Sequence, residues 1–184
     1  MVHLNNQVRL RRSTSAESQR LEVLFADAFR RQPGPYSQRQ VEAALAAGLG
    51  RAGALHAAGR GVVAEKSGSL VGAAAWTCDD QAIPGVSRRR PSAAHPRLAT
   101  LRAVFVSPDC ARQGVGRRLI EAVMAEASKA GACEFGLYAT AGAVAFYETA
   151  GFLALDAFDV ALGDGLVLPV VEMRRAASNG LAAE

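Results

Sequence analysis

The stretch that most constrains this chain is Ser107-Pro108-Asp109-Cys110-Ala111-Arg112-Gln113-Gly114-Val115-Gly116-Arg117-Arg118, which joins a strand-like run, Leu98–Val106, to an amphipathic one, Gly114–Ala130. In the second run Val115, Leu119, Val123 and Ala127 recur at helical spacing, and Gly131 supplies a stop. Gly114 and Gly116 at the helix entry let backbone N–H groups approach an oxygen-rich anion with no Cβ between them. The helix dipole favours such an anion by about 0.3–1 kcal/mol, and Arg112, Arg117 and Arg118 can add charge-assisted contacts. A nucleotide-binding P-loop would need Gly-Lys-Ser/Thr where the chain has Gly116-Arg117-Arg118. A dinucleotide fingerprint would need a third glycine where Leu119 stands, so both are excluded. A plain packing turn between strand and helix is the competing reading.

After this helix, Cys133–Ala139 reads as another strand. A strand, a crossover helix and a strand form a right-handed unit, so the two strands should run parallel. Ligands in such sheets sit at the C-terminal strand ends, beside this turn. Upstream, Gln7–Arg12 alternates like a half-buried strand. Ser15–Gln32 carries Leu21, Leu24, Phe25, Ala28 and Phe29 at helical spacing, and Pro33-Gly34-Pro35 ends it. A second helix runs from Ser37 towards Gly48. Gly61–Lys66 and Leu70–Thr77 flank Ser67-Gly68-Ser69 as a hairpin. Asp79–Arg97, with three prolines and Arg88-Arg89-Arg90, reads as a long loop whose basic run is a solvated face or a lure for an acidic acceptor. Ala143–Ala150 is a short helix, and Phe152–Leu162 and Leu166–Arg174 are closing strands. The expected fold is mixed α/β (α+β), with one domain over residues 7–176 and a disordered tail over 177–184.

Composition removes several function classes. Half of the 184 residues are hydrophobic and 21% are charged, a globular balance and not that of a disordered chain. No apolar run approaches the roughly 20 residues that cross a bilayer, and the N-terminus shows no secretory pattern, so a cytoplasmic protein without membrane association is expected. Three widely spaced cysteines, Cys78, Cys110 and Cys133, argue against disulfides and a zinc knuckle, and no metal site is expected. The net charge is only +4, and no aromatic residues interleave with the basic ones, so a nucleic-acid partner is not expected.

The stretch LRAVFVSPDCARQGVGRRLIEAV, followed by LYATAGAVAFYETAGF, resembles the GNAT superfamily of acyl-CoA-dependent N-acyltransferases, whose pattern is a strand, V-x-P, [QR]-x-x-G-x-[GA] opening a helix, and later F-Y-E-x-x-G-F. The match is specific over Leu98–Phe152; upstream it holds mainly in the order of elements, with Leu70–Trp76 as the best local match. The resemblance implies a mostly antiparallel central sheet with one splayed parallel pair around the cofactor and flanking helices. It implies acetyl-CoA as co-substrate. Backbone N–H groups of Arg112, Gln113, Gly114, Val115, Gly116 and Arg117 would cradle the pyrophosphate, and Val104, Phe105 and Val106 would hydrogen-bond the pantetheine arm. Thr140, seven residues before Tyr147 and where many members have an Asn, would touch the cofactor through its hydroxyl.

The implied activity is acetyl transfer to a primary amine by direct attack in a ternary complex, with Tyr147 protonating the departing thiolate. Phe146 is expected to face the core and so leave the Tyr147 ring to the cofactor. The base is open among Glu65, Asp79, Asp80, His95, Glu172 and water. Two further departures are noted. Ala111 stands where Gln or Arg is frequent, in a region of mostly backbone contacts. Phe135 stands where members that modify protein N-termini carry a glutamate, which favours a small-molecule amine as acceptor. The acceptor pocket is expected between the first two helices, the Asp79–Arg97 loop and the final strands. Trp76 is either core or pocket wall, and Cys110 lacks a recognisable His partner for nucleophilic work. A monomer or homodimer is expected. The rival function is a CoA-binding regulator with the same fold and no chemistry.

Overall fold

The computed structural model describes residues 7–32, 34–78 and 98–177. Its strands are β1 (Arg9–Arg12), β2 (Gly61–Lys66), β3 (Ser69–Thr77), β4 (Leu98–Val106), β5 (Glu134–Thr140), β6 (Leu153–Gly163) and β7 (Leu166–Ala176). The helices are α1 (Ser18–Arg31), α2 (Gln38–Ala46), α3 (Gly53–Ala57), α4 (Val115–Lys129) and α5 (Val144–Thr149). The strands form one sheet in the order β1-β2-β3-β4-β5-β7-β6. Every neighbouring pair is antiparallel except β4 and β5, the pair that the crossover argument made parallel.

Helices cover both faces because the strands alternate. On one face, α4 buries Val115, Leu119, Ile120, Val123, Met124 and Ala127 against Ala99, Leu101, Phe135, Leu137, Ala139 and Met173. Each fully buried Leu, Ile or Val contributes about 1.5–3 kcal/mol. The opposite face carries α1 and α2. There Leu21 and Ala28 meet Val63, Ala73 and Phe105, while Phe29, Val41 and Ala44 meet Val160, Leu168 and Val170. The β2–β3 turn is tight because Ser67 and Gly68 both take positive φ, 51° and 79°.

The sequence reading did not include α3. This five-residue helix has no side-chain cap, and its one buried residue is His56. His56 Nδ1 forms a buried hydrogen bond of 2.8 Å with Ser13 Oγ, and a Cβ on Gly61 would lie 2.1 Å from the same nitrogen. Burial pushes the imidazole below its ordinary 6.5, and Glu17 opposes the shift. The folded chain therefore binds this proton less readily than the unfolded chain. The stabilisation is complete above pH 6.5 and is lost as the pH falls below it. Thermal melts should show the melting temperature dropping between pH 7 and 5, and His56→Gln should flatten that slope. Ala177, the first residue of the expected tail, donates to Cys133 O at 2.9 Å, and residues 178–184 lie outside the described set.

Candidate active site

β4 and β5 are paired only at Leu98–Glu134, Ala99–Phe135 and Thr100–Gly136. Beyond Thr100 and Gly136 no pairing joins them among the described residues, while β4 continues on β3 and β5 on β7. A backbone edge is thereby left along Val104, Phe105 and Val106 on one side and Leu137–Thr140 on the other. A bulge re-aims β4 at this point: Ala75 pairs with Arg102 and Ala73 with Phe105, and Ala103 takes φ 46°. A non-glycine residue there costs about 1–2 kcal/mol. Nothing in the sequence marks Ala103 for it.

The glycine turn lies at the open end of this gap. Arg112 and Gly114 both have positive φ, 62° and 77°, and Gly114 is the N-cap of α4 with no side chain capping the helix. The N–H groups of the first turn therefore face outward, as an anion site requires. The two glycines serve different purposes. A Cβ on Gly114 would meet nothing within 4 Å, so this position is selected by its φ. A Cβ on Gly116 would lie 3.0 Å from Phe146 Cζ and 3.5 Å from Val106 Cγ2, so this glycine lets α5 and β4 approach α4. Lys66, at the end of β2, donates to Gln113 Oε1 at 3.3 Å and brings a cation to the turn that the sequence reading did not assign. Arg31 holds Asp109 at 2.8 Å and ties the end of α1 to the same loop.

Tyr147 lies in the core between α4, α5 and the sheet, 8% exposed, with its ring edge-on to Phe152 at 5.9 Å. Phe146 is 37% exposed. The expected orientation is thus reversed: Phe146 packs over Gly116 at the surface, and Tyr147 turns inward. The glycine at 116 provides the room that holds Phe146 outside. Burial raises the Tyr147 phenol well above its ordinary value, so it stays protonated at neutral pH. No hydrogen bond engages its hydroxyl among the described residues.

Of the base candidates, Asp79, Asp80 and His95 lie outside the described residues, as does Arg88–Arg90. Glu65 sits on β2 and is held by Arg11 Nε at 2.9 Å. Glu172, on β7, accepts from Arg174. Phe135 is buried in the α4 side of the core. Trp76 belongs to that core as well, 5.5 Å beneath the Arg60 guanidinium, and Cys110 is also buried there.

A cleft of about 260 Å³ opens on the α1 and α2 face, with Phe29, Tyr36 and Val41 as apolar wall, Arg30 and Glu42 at the rim, and Thr140 at the end of β5. Thr140 thus lines this cleft on the far side of the sheet from α4. Arg30 and Glu42 form a two-pronged pair at 2.7 and 2.8 Å. Tyr36 fixes the cleft: its hydroxyl donates to Pro169 O at 2.5 Å and accepts from Ala141 N at 2.8 Å. This tie escaped the sequence reading because it depends on a loop meeting two distant strand ends.

Comparison with known proteins decides the family. The model of the acetyltransferase (GNAT) family matches residues 19–152. The chain belongs to the GNAT family. A GCN5-related N-acetyltransferase from Rhodopseudomonas palustris shares its fold with a TM-score of 0.67 and 22% identity, over 96% of this chain and 98% of that one. A Salmonella typhimurium protein solved with its cofactor acetyl-CoA superposes with a TM-score of 0.61 and 16% identity, over 97% and 98%. A ribosomal-protein-alanine N-acetyltransferase from Brucella melitensis gives 0.61 and 19%, over 91% and 99%. No curated protein matches. As a GNAT protein, the chain is an acetyltransferase by family, with a mixed sheet split at its one parallel pair.

Proposed function

We propose that this GNAT protein transfers the acetyl group of acetyl-CoA to the primary amine of a small molecule by direct attack in a ternary complex. The observation that carries the reading is the uncapped N-terminus of α4, with left-handed Gly114, at the mouth of the β4–β5 gap. In this reading the backbone of Arg112–Arg117 holds the pyrophosphate, with the Lys66 charge nearby. The β4 edge at Val104–Val106 takes the pantetheine as an added strand, and Thr140 marks the far wall. The amine forms a bond to the carbonyl carbon, the C–S bond breaks, and the thiolate receives a proton from Tyr147.

The acceptor enters from the α1 and α2 face. The cleft, about 260 Å³, has room for a small acceptor. The buried phenylalanine at position 135 also leaves no carboxylate there for a peptide terminus. Thiol release should be measured with acetyl-CoA and four amines, 2-phenylethylamine, n-butylamine, putrescine and glycine, beside an alanine-terminated peptide. At least one amine should outperform the peptide. A peptide faster than all four would exclude the small-molecule acceptor. Acetyl-CoA binding without thiol release to any acceptor would leave a CoA-binding regulator in its place.

A further inference from the structure

We propose that Tyr36 sets the choice of acceptor, and that the cleft takes a primary amine with a single charge and a compact apolar body; the assignment rests on the acetyltransferase reading above. The placement follows from strand register. β5 and β7 pair in unbroken antiparallel register from Glu134–Ala176 to Thr140–Val170. Continued by one residue, that register would set Ala141 against Pro169. The two backbone groups available to such a pair are instead bridged by the Tyr36 phenol, which donates to Pro169 O at 2.5 Å and accepts from Ala141 N at 2.8 Å. Pro169 has no N–H, so it offers no second bond that could draw the strands together there. The end of β5 is thereby held one bridging oxygen away from β7, beside Thr140, which lines the cleft.

The same residue supplies the wall. Its ring lies 6.3 Å from that of Phe29, centroid to centroid, at a tilt of 52°, and the two rings with Val41 form the apolar side of the cleft. The two hydroxyl bonds fix the distance of the ring from the end of β5, and with it the room left for an acceptor. Tyr36→Phe keeps the ring and removes the bridge, so Ala141 N–H and Pro169 C=O are free to pair directly and narrow the cleft. Gln40 Nε2 still donates to Val167 O at 2.8 Å in that variant, which keeps α2 on β7.

Charge selects the class of amine. Among the described residues that line the cleft, the charged side chains are Arg30 and Glu42, and they hold each other through two bonds, at 2.7 and 2.8 Å. A carboxylate or a second ammonium on the acceptor would give up hydration here and meet no unpaired opposite charge. An alkyl or aryl body gives up none, and it gains by burial against the two rings. The cleft therefore favours a monoamine over a diamine or an amino acid.

Steady-state kinetics with acetyl-CoA and the four amines test both parts. In the wild type, kcat/KM for 2-phenylethylamine or n-butylamine should exceed that for putrescine and glycine by about 10-fold or more. Tyr36→Phe should raise KM for the preferred amine about 10-fold, while kcat, calorimetric acetyl-CoA affinity and the melting temperature stay close to wild type. Tyr36→Ala, which removes the wall as well, should erase the preference among amines. Putrescine or glycine as the fastest acceptor, or an unchanged KM in Tyr36→Phe, would overturn the assignment while leaving the transferase intact. So would a loss in that variant shared equally by KM, kcat and acetyl-CoA affinity with a lowered melt, since that is the mark of a purely structural tie. Wild-type protein that acetylates none of the four amines would instead remove the parent reading and this one with it.

Discussion

Gly114→Glu should reduce acetyl-CoA affinity by at least 10²-fold, measured by calorimetry, in a protein that still folds. Three features converge on this outcome. The site of the missing Cβ is open to at least 4 Å, so a Cβ at this position meets no protein atom. Gly114 has φ 77°, and an L-residue held there costs about 1–2 kcal/mol, a loss most domains survive. The new carboxylate stands at the uncapped N-terminus of α4, where it can satisfy the same N–H groups that a pyrophosphate would use, and it repels the phosphates as well. Gly114→Ala separates the contributions, since it carries the backbone strain without the charge. It should lower the melting temperature slightly and keep most of the affinity. Equal affinity for Gly114→Glu and the wild type would remove the turn from the cofactor site.

The same turn shows what could be read in the sequence and what could not. Periodicity located the long elements to within about three residues, most closely where the apolar face is strong: α4 is expected from Val115, Leu119, Val123 and Ala127, all of which are buried. The parallel β4–β5 pair followed from chain connectivity and crossover handedness. α3 was not legible, since five residues with one buried histidine carry no period. The Phe146 and Tyr147 orientations were inverted for a related reason. A six-residue helix shows too little of a period to say which of two adjacent aromatics points inward. That choice is made by the gap over Gly116, a tertiary contact.

The residues of the candidate site divide along the same line. The glycine turn could be found because its requirements are local: a positive φ at Gly114 and the start of α4. Tyr36, Lys66 and Ala103 enter the site through long-range packing or a bulge, and their sequence neighbourhoods give no sign of it.

Tyr147→Phe should slow acetyl transfer by about 10² to 10⁴ while acetyl-CoA affinity and stability stay level. As the C–S bond breaks, negative charge collects on sulfur, and in the proposed reading the neutral phenol at 147 meets it with a hydrogen bond or a proton. Burial raises its pKa, so across the neutral range it neither ionises nor loses its proton to solvent. The Tyr147 ring is packed against Phe146 and Phe152, and among the described residues its hydroxyl has no hydrogen bond. Deleting that oxygen therefore should not lower the melting temperature, in contrast to the loss expected from truncating a packed aromatic. The pairing of a slower chemical step with an undiminished melt separates a hydroxyl kept for catalysis from a tyrosine kept for packing. With chemistry shown to be rate-limiting, a Phe variant that releases thiol at the wild-type rate would return Tyr147 to the core as a structural residue.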